Sequence, residues 1–331
     1  MSNNKTKGGN KQLHKAKKDK NDEFYTQFID IERELSYYRE HFSGKTVLCN
    51  CDDPRVSNFF KYFALNFEYF GLKRIITTCY KNNCPDLFSQ YTAEQAVYLI
   101  YDGNNGESMP DWDKVDVKPL RGDGDFRSAE CIELLKQADI VVTNPPFSLF
   151  REYVTQLIAY NKKFLIIANK NTITYKEIFP LIKENKVWVG VQSMGIDMLF
   201  DIPKEQAEEL LRNGKQGSKY RIVDGVVKGR SASIWLTNLE HSKRHEEMIL
   251  YKHYTPEEYP KYDNYDAINV DKVKDIPCDY DGVIGVPITF LDKYNPEQFK
   301  IIKFRKGNDD KDLSINGICP YFRILIQKLK K

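Results

Sequence analysis

Asn144, Pro145, Pro146 and Phe147 stand in a row and offer groups suited to one kind of substrate. The Asn144 side chain carries an amide oxygen that accepts hydrogen bonds. Pro145 carries a carbonyl whose direction is fixed by the rigid rings on either side of it. Phe147 presents a flat apolar face on which a base can stack. Two acceptors beside one ring can hold an exocyclic amino group and its base. An adenine rotated out of its duplex is such a base. By residue type alone the same four residues also describe a strand-ending Pro-Pro turn with a core Phe, so the elements around them matter.

Those elements favour a rigid loop. Residues 139–143, DIVVT, read as a short buried β-branched strand. Two prolines cannot continue its ladder, so the strand stops and the backbone stays stiff. Ser148 is placed to cap a helix over 148–160. The loop then lies at the carboxyl end of a strand, where open α/β sheets bind their ligands.

A second set of residues falls at other strand ends. Residues 46–49 predict a strand, followed by the turn Asn50-Cys51-Asp52-Asp53-Pro54 and a helix over 55–67. Strand, tight polar turn and helix open a nucleotide-binding unit. Such turns are usually glycine-rich, because glycine permits close backbone approach. This one has no glycine, and its short polar side chains supply the turn geometry instead. Residues 74–79 predict a second strand, which ends on Cys79-Tyr80 where an acid commonly binds ribose. Tyr80 is an aromatic placed for stacking. Gly122-Asp123-Gly124-Asp125-Phe126 leads through Ser128 into a helix over 129–138. Glycines around two acids let the backbone approach a ligand closely. Near the N-terminus, Phe24-Tyr25-Thr26 precedes a helix whose apolar positions are Ile29, Ile31, Leu35, Tyr38 and Phe42. There it serves as a hydrophobic staple or as a ligand contact.

The remaining elements complete the winding. Segments 96–101 and 115–120 flank the turn at 102–106 and read as an inserted hairpin. A strand over 163–169, a helix over 173–184 and a strand over 187–191 follow. This βαβα alternation predicts an α/β fold with a mostly parallel, doubly wound sheet. Beyond residue 190 the rhythm changes: 192–230 reads as irregular and charged, 233–237 as a strand, and the rest shows no helical period.

Composition bounds the class. The 331 residues suffice for one large domain or two modest ones, and 41% hydrophobic with 29% charged content is that of a globular chain. No apolar run is long enough to span a bilayer, and the N-terminus has no apolar signal-peptide core. Seven cysteines are scattered without zinc spacing, which predicts reduced cytoplasmic thiols and no metal. Residues 1–20 carry seven Lys against one Asp, a basic flexible arm suited to phosphates. Aromatics interleaved with Lys, Asn and Asp, as in YPKYDNYD at 259–266, suit a surface that reads base edges.

With these residues in view, the chain resembles the EcoRI-type adenine-specific DNA methyltransferases. The resemblance runs through DEFYTQ, NCDDPRVSNFFKYFALNF, GDGDFRS, DIVVTNPPFSLFREY, KKFLIIAN, WLTNL, YPKYDNYDAINV and GVPITFLDKYNPEQF. It is weakest over 80–120 and 192–232. It implies a Rossmann-like S-adenosylmethionine-dependent methyltransferase fold, duplex DNA as substrate and adenine N6 as acceptor, within GAATTC or a site near it. It implies that Asn144, Pro145, Pro146 and Phe147 are catalytic. It further implies cofactor contacts from Phe24, Tyr25, Thr26, Asn50, Asp52, Asp53, Tyr80, Asp123, Asp125 and Phe126. The expected organisation is an arm (1–20), a cofactor-binding catalytic domain (21–191) and a DNA target-recognition region (192–331), acting as a monomer.

Overall fold

The computed structural model describes residues 26–50, 53–81, 95–103, 116–202, 204–213, 216–217 and 219–330. The basic arm, Phe24, Tyr25 and Asp52 lie outside the described residues. The chain forms two compact units, one of residues up to Lys170 with Ile196–Leu239, the other of Asn171–Gly195 with Glu240–Lys331. Residues 171–195 go with the C-terminal part, and 196–239 go with the N-terminal part.

The first unit is built on β1 (Thr46–Asn50), β2 (Arg74–Cys79), β3 (Val97–Tyr101), β4 (Lys118–Pro119), β5 (Ile140–Thr143) and β6 (Lys163–Asn169). The chain then forms β7 (Trp188–Val189) in the other unit. It comes back as β8 (Met198–Phe200), β9 (Tyr220–Val223), β10 (Val226–Ser231) and β11 (Ser233–Thr237). Within the first unit the main sheet runs β4-β3-β2-β1-β5-β6-β11. The four central strands are parallel. They are flanked by antiparallel β3, β4 and β11.

Burial follows from residue type. Every residue of β1 and β5 is buried, as β-branched runs covered on both faces must be. Helix Asn58–Leu65 buries Phe59, Phe60, Tyr62 and Phe63, and Ser57 caps it through the Phe60 amide. Helix Ala129–Gln137 is capped by Ser128 as expected. Helix Phe150–Ala159 buries Phe150, Tyr153, Val154 and Leu157.

Several expectations are corrected. The segments at 96–101 and 115–120 do pair as an antiparallel hairpin, β3 with β4, but the hairpin is not separate from the main winding: β3 also pairs with β2, so the two strands widen the main sheet. Residues 192–230 are not irregular: β8, β10 and β9 form an antiparallel sheet in that order, beside helix Lys204–Asn213. Ser148 caps nothing. Pro146 holds an extended backbone, Phe147–Leu149 tighten into a 3-10 turn, and the helix starts at Phe150. The helix expected over 173–184 is a 3-10 turn at Lys170–Thr174 and a short helix Phe179–Lys183, with Pro180 in its first turn.

The second unit carries β12 (Ala267–Asn269), β13 (Val283–Pro287), β14 (Phe299–Phe304) and β15 (Arg323–Lys328), in the sheet order β12-β13-β15-β14. Ile284, Val286, Phe290, Phe299, Ile301 and Ile324 to Ile326 form its buried interior. Arg323 is buried too, with its guanidinium held by Asn269 and Asp271.

Candidate active site

The carboxyl ends of β2, β1, β5 and β6 line one edge of the sheet, because these strands are parallel. From β1 the chain crosses over to β2 on one side; from β5 it crosses to β6 on the other. The winding therefore reverses between β1 and β5, and ligands of open α/β sheets bind outside such a reversal. Asn50 ends β1 and Asn144 follows β5, one on each side of it.

Asn144 is 4% exposed, and Pro145 is buried behind it. The Asn144 amide donates through Nδ2 to Thr26 Oγ1 at 3.3 Å. In this orientation the amide oxygen Oδ1 is the acceptor at the other end. Thr26 is held in turn by Asn58, whose Nδ2 donates to its carbonyl at 2.9 Å. Phe147 is half-buried at the start of the 3-10 turn. The structure thus brings Thr26 and Asn144 together, 118 residues apart in sequence.

The turn after β1 is tied to the same loop. Thr143 Oγ1 donates to the Asn50 carbonyl. Tyr153 donates its hydroxyl to Asn50 Oδ1 at 2.5 Å, and both side chains are buried. Asp53 accepts from the Arg55 amide at 2.9 Å and from the Arg55 guanidinium at 2.9 and 2.5 Å. Side chains thus restrain both described ends of this glycine-free stretch, Asn50 and Asp53.

The loop at 122–126 closes the other side of the edge. Gly124 has φ +79°, and a Cβ there would collide with the Cys79 carbonyl and meet the Ala96 Cβ at 3.0 Å. Its missing side chain lets the loop rest against the end of β2, where the Lys81 amide donates to the Asp123 carbonyl at 2.7 Å. Asp123 is exposed. Asp125 is clamped by Arg127, whose hydrogen bonds hold its carboxyl below the usual carboxylate range. Phe126 is buried against Tyr153, with ring centroids 5.0 Å apart, and Gln156 donates to its carbonyl. Tyr80 stands 49% exposed at the end of β2.

Of the residues singled out by sequence, Thr26, Asn50, Asp53, Tyr80, Asp123, Asp125, Phe126 and Asn144 to Phe147 all fall on this edge or the turns above it. Tyr153, Arg55 and Asn58 were missed as site residues. Tyr153 reads from sequence as one more apolar position on a helix, and nothing local reveals that its hydroxyl reaches β1.

The geometry can now be set beside known proteins. The family model described as "Adenine-specific methyltransferase EcoRI" matches residues 12–329. The chain is 59% identical over 322 residues to the type II methyltransferase M.EcoRI of Escherichia coli, with 96% of each chain covered. It is 38% identical over 338 residues to the type II methyltransferase M.MgeORF184P of Mycoplasma genitalium, covering 96% of this chain and 98% of that one. It is 38% identical over 296 residues to the type II methyltransferase M.MpnI of Mycoplasma pneumoniae, covering 88% and 84%. No solved structure matches. A glycine-free turn, an Asn-Pro-Pro-Phe loop at the sheet's reversal point and a family match along nearly the whole chain agree, and the chain belongs to the EcoRI family of adenine-specific methyltransferases.

Proposed function

We propose that this chain transfers a methyl group from S-adenosylmethionine to N6 of an adenine flipped out of duplex DNA. GAATTC is the expected site, and protection against a cognate nuclease is the expected purpose. The observation that carries the reading is the placement of Asn144 directly after β5, beside the reversal point and in contact with Thr26. S-adenosylmethionine supplies an electrophilic methyl on a sulfonium centre. The chain's own residues do the rest. Asn144 Oδ1 and the Pro145 carbonyl accept the two hydrogens of N6 and aim its lone pair at the methyl. As the nitrogen gains positive charge, both acceptors stabilise it, and one N6 proton leaves to solvent. Phe147 stacks on the flipped base.

The residues at this edge suit the cofactor unequally. Tyr80 and Asp123 are exposed and offer a stacking face and a carboxylate. Thr26 offers a hydroxyl. Asn50, Asp53 and Asp125 are engaged by Tyr153, Arg55 and Arg127, so they hold the turns that surround the ligand. Phe126 adds an apolar wall. We assign the cofactor work to the catalytic part expected at 21–191, and DNA reading to the basic arm and 192–331. In the latter, Arg221 and Arg230 flank Asp197 on adjacent strands at 2.8 and 2.6 Å. That carboxylate engages both cations, so they brace these strands.

Methylation of a plasmid with labelled S-adenosylmethionine, followed by challenge with a GAATTC-cutting nuclease, tests all of this at once. Label with protection is the expected result. Label without protection moves the site. Absence of label from DNA sinks the reading, and RNA becomes the next acceptor to test.

A further inference from the structure

Outside the site above, His253, Cys278 and Asp279 bring an imidazole, a thiol and a carboxylate together, with their ligand atoms all within 4.8 Å of one another. We propose that these three side chains bind a divalent transition-metal ion of the zinc type, leaving one coordination position to water.

The distances suit such an ion. His253 Nδ1 lies 3.7 Å from Cys278 Sγ and 2.9 Å from Asp279 Oδ2. Tetrahedral zinc, with bonds of about 2.3 Å to sulfur and about 2.0–2.1 Å to nitrogen and oxygen, sets its ligands roughly 3.4–3.6 Å apart. The sulfur–nitrogen pair is already there, and the nitrogen–oxygen pair has to open by about half an ångström.

A surface ion pair does not account for all three groups. The carboxylate only accepts, so without a cation Nδ1 must carry its hydrogen and give it to Asp279. The thiol then faces a nitrogen whose hydrogen is already committed. A cation at the centre satisfies the nitrogen lone pair, the sulfur and the oxygen together, and on binding the Cys278 thiol releases its proton to solvent.

The frame is fixed before any ion arrives. The Cys278 amide donates to the Lys252 carbonyl at 2.8 Å, and Lys252 bridges Pro277. The Tyr254 amide donates to Asp279 Oδ1 at 2.8 Å, which anchors one carboxylate oxygen and presents the other. The Tyr254 ring rests on Tyr280 and Tyr259, at 4.8 and 5.9 Å. Two segments 25 residues apart thus present all three ligands, and only the His253–Asp279 pair has to open to take the ion. His253 and Asp279 are exposed, which leaves the fourth position to water. Such an ion would staple residues 252–254 to 277–279. It takes no part in methyl transfer.

The test uses the whole purified, metal-stripped chain and cobalt(II) as the coloured substitute for zinc. Expected is a thiolate-to-cobalt charge-transfer band that saturates at one ion per chain and is bleached by zinc. Zinc alone should raise the melting temperature by a few degrees. The band should disappear in Cys278→Ser, weaken at least tenfold in apparent affinity in His253→Ala, and persist in Cys319→Ser, which removes an exposed thiol elsewhere. Unchanged circular dichroism shows that the variants fold. No band in the parent chain, or a band that survives Cys278→Ser, overturns the proposal.

Discussion

At the scale of single residues, the site divides into groups that face the substrate and groups that hold them. Asn144 faces it. Asn144→Ala removes one N6 acceptor in a buried site, a loss of about 2–4 kcal/mol of transition-state stabilisation or roughly 10²–10³ in rate. DNA binding, measured by gel shift, should change little. Equal loss of both would make Asn144 a structural residue. Tyr153 holds. Tyr153→Phe keeps the ring against Phe126 and deletes the hydroxyl that Asn50 Oδ1 accepts from. The buried acceptor then lacks this donor at a cost of about 1–3 kcal/mol. The expected result is a KM for S-adenosylmethionine raised by about tenfold, with kcat lowered less. A fall in kcat with KM unchanged would show that the Asn50 turn does not govern cofactor binding. The Asn-Pro-Pro-Phe acceptors are legible in sequence because four adjacent types carry their chemistry together. The Tyr153 contact is not, because it spans 103 residues and is set by how a helix packs on β1.

At the scale of elements, the loop at 122–126 depends on one missing Cβ. Gly124→Ala puts a side chain against the Cys79 carbonyl in left-handed backbone, a strain of about 1–3 kcal/mol. The loop should lift from the end of β2 and take Asp123 and Phe126 with it. Cofactor affinity, read by calorimetry, should fall while the far-UV spectrum stays the same. Retained affinity would show that the loop is no part of the cofactor site. Sequence pattern placed the loop and the central strands well, since buried β-branched runs such as IVVT and FLIIA admit few other readings. It failed for 192–230, where a polar, glycine-bearing stretch folds as β8, β10 and β9. Narrow sheets with exposed faces carry little apolar alternation, so their period is faint.

At the scale of the whole molecule, two properties follow from charge. His241 is 8% exposed, and its Nε2 donates to the Val189 carbonyl at 3.1 Å. Burial pushes its pKa below the usual histidine value. The unfolded chain therefore takes up this proton first, so the associated stability is intact above about pH 6.5 and drains as pH falls below it. The melting temperature should drop between pH 7.5 and 5.5, and His241→Gln should drop less. An equal drop would assign the effect to other groups. The second property concerns the seven lysines of residues 1–20. If they neutralise phosphates, their removal should flatten the dependence of log K on log salt by about 0.9 for each phosphate left without its lysine. An unchanged slope would show that the arm does not touch DNA.

The sequence by itself determined the Asn-Pro-Pro-Phe loop's place after a buried strand, the parallel centre of the sheet and the family, because each is written in contiguous residues. The tertiary structure alone decided which side chains meet across the reversal point: Thr26 with Asn144, Tyr153 with Asn50. It alone decided that 171–195 and 196–239 belong to different units, and that His253 meets Cys278. These pairings join residues distant in the chain. Their partners are chosen by strand order and helix packing, and no local propensity encodes that choice.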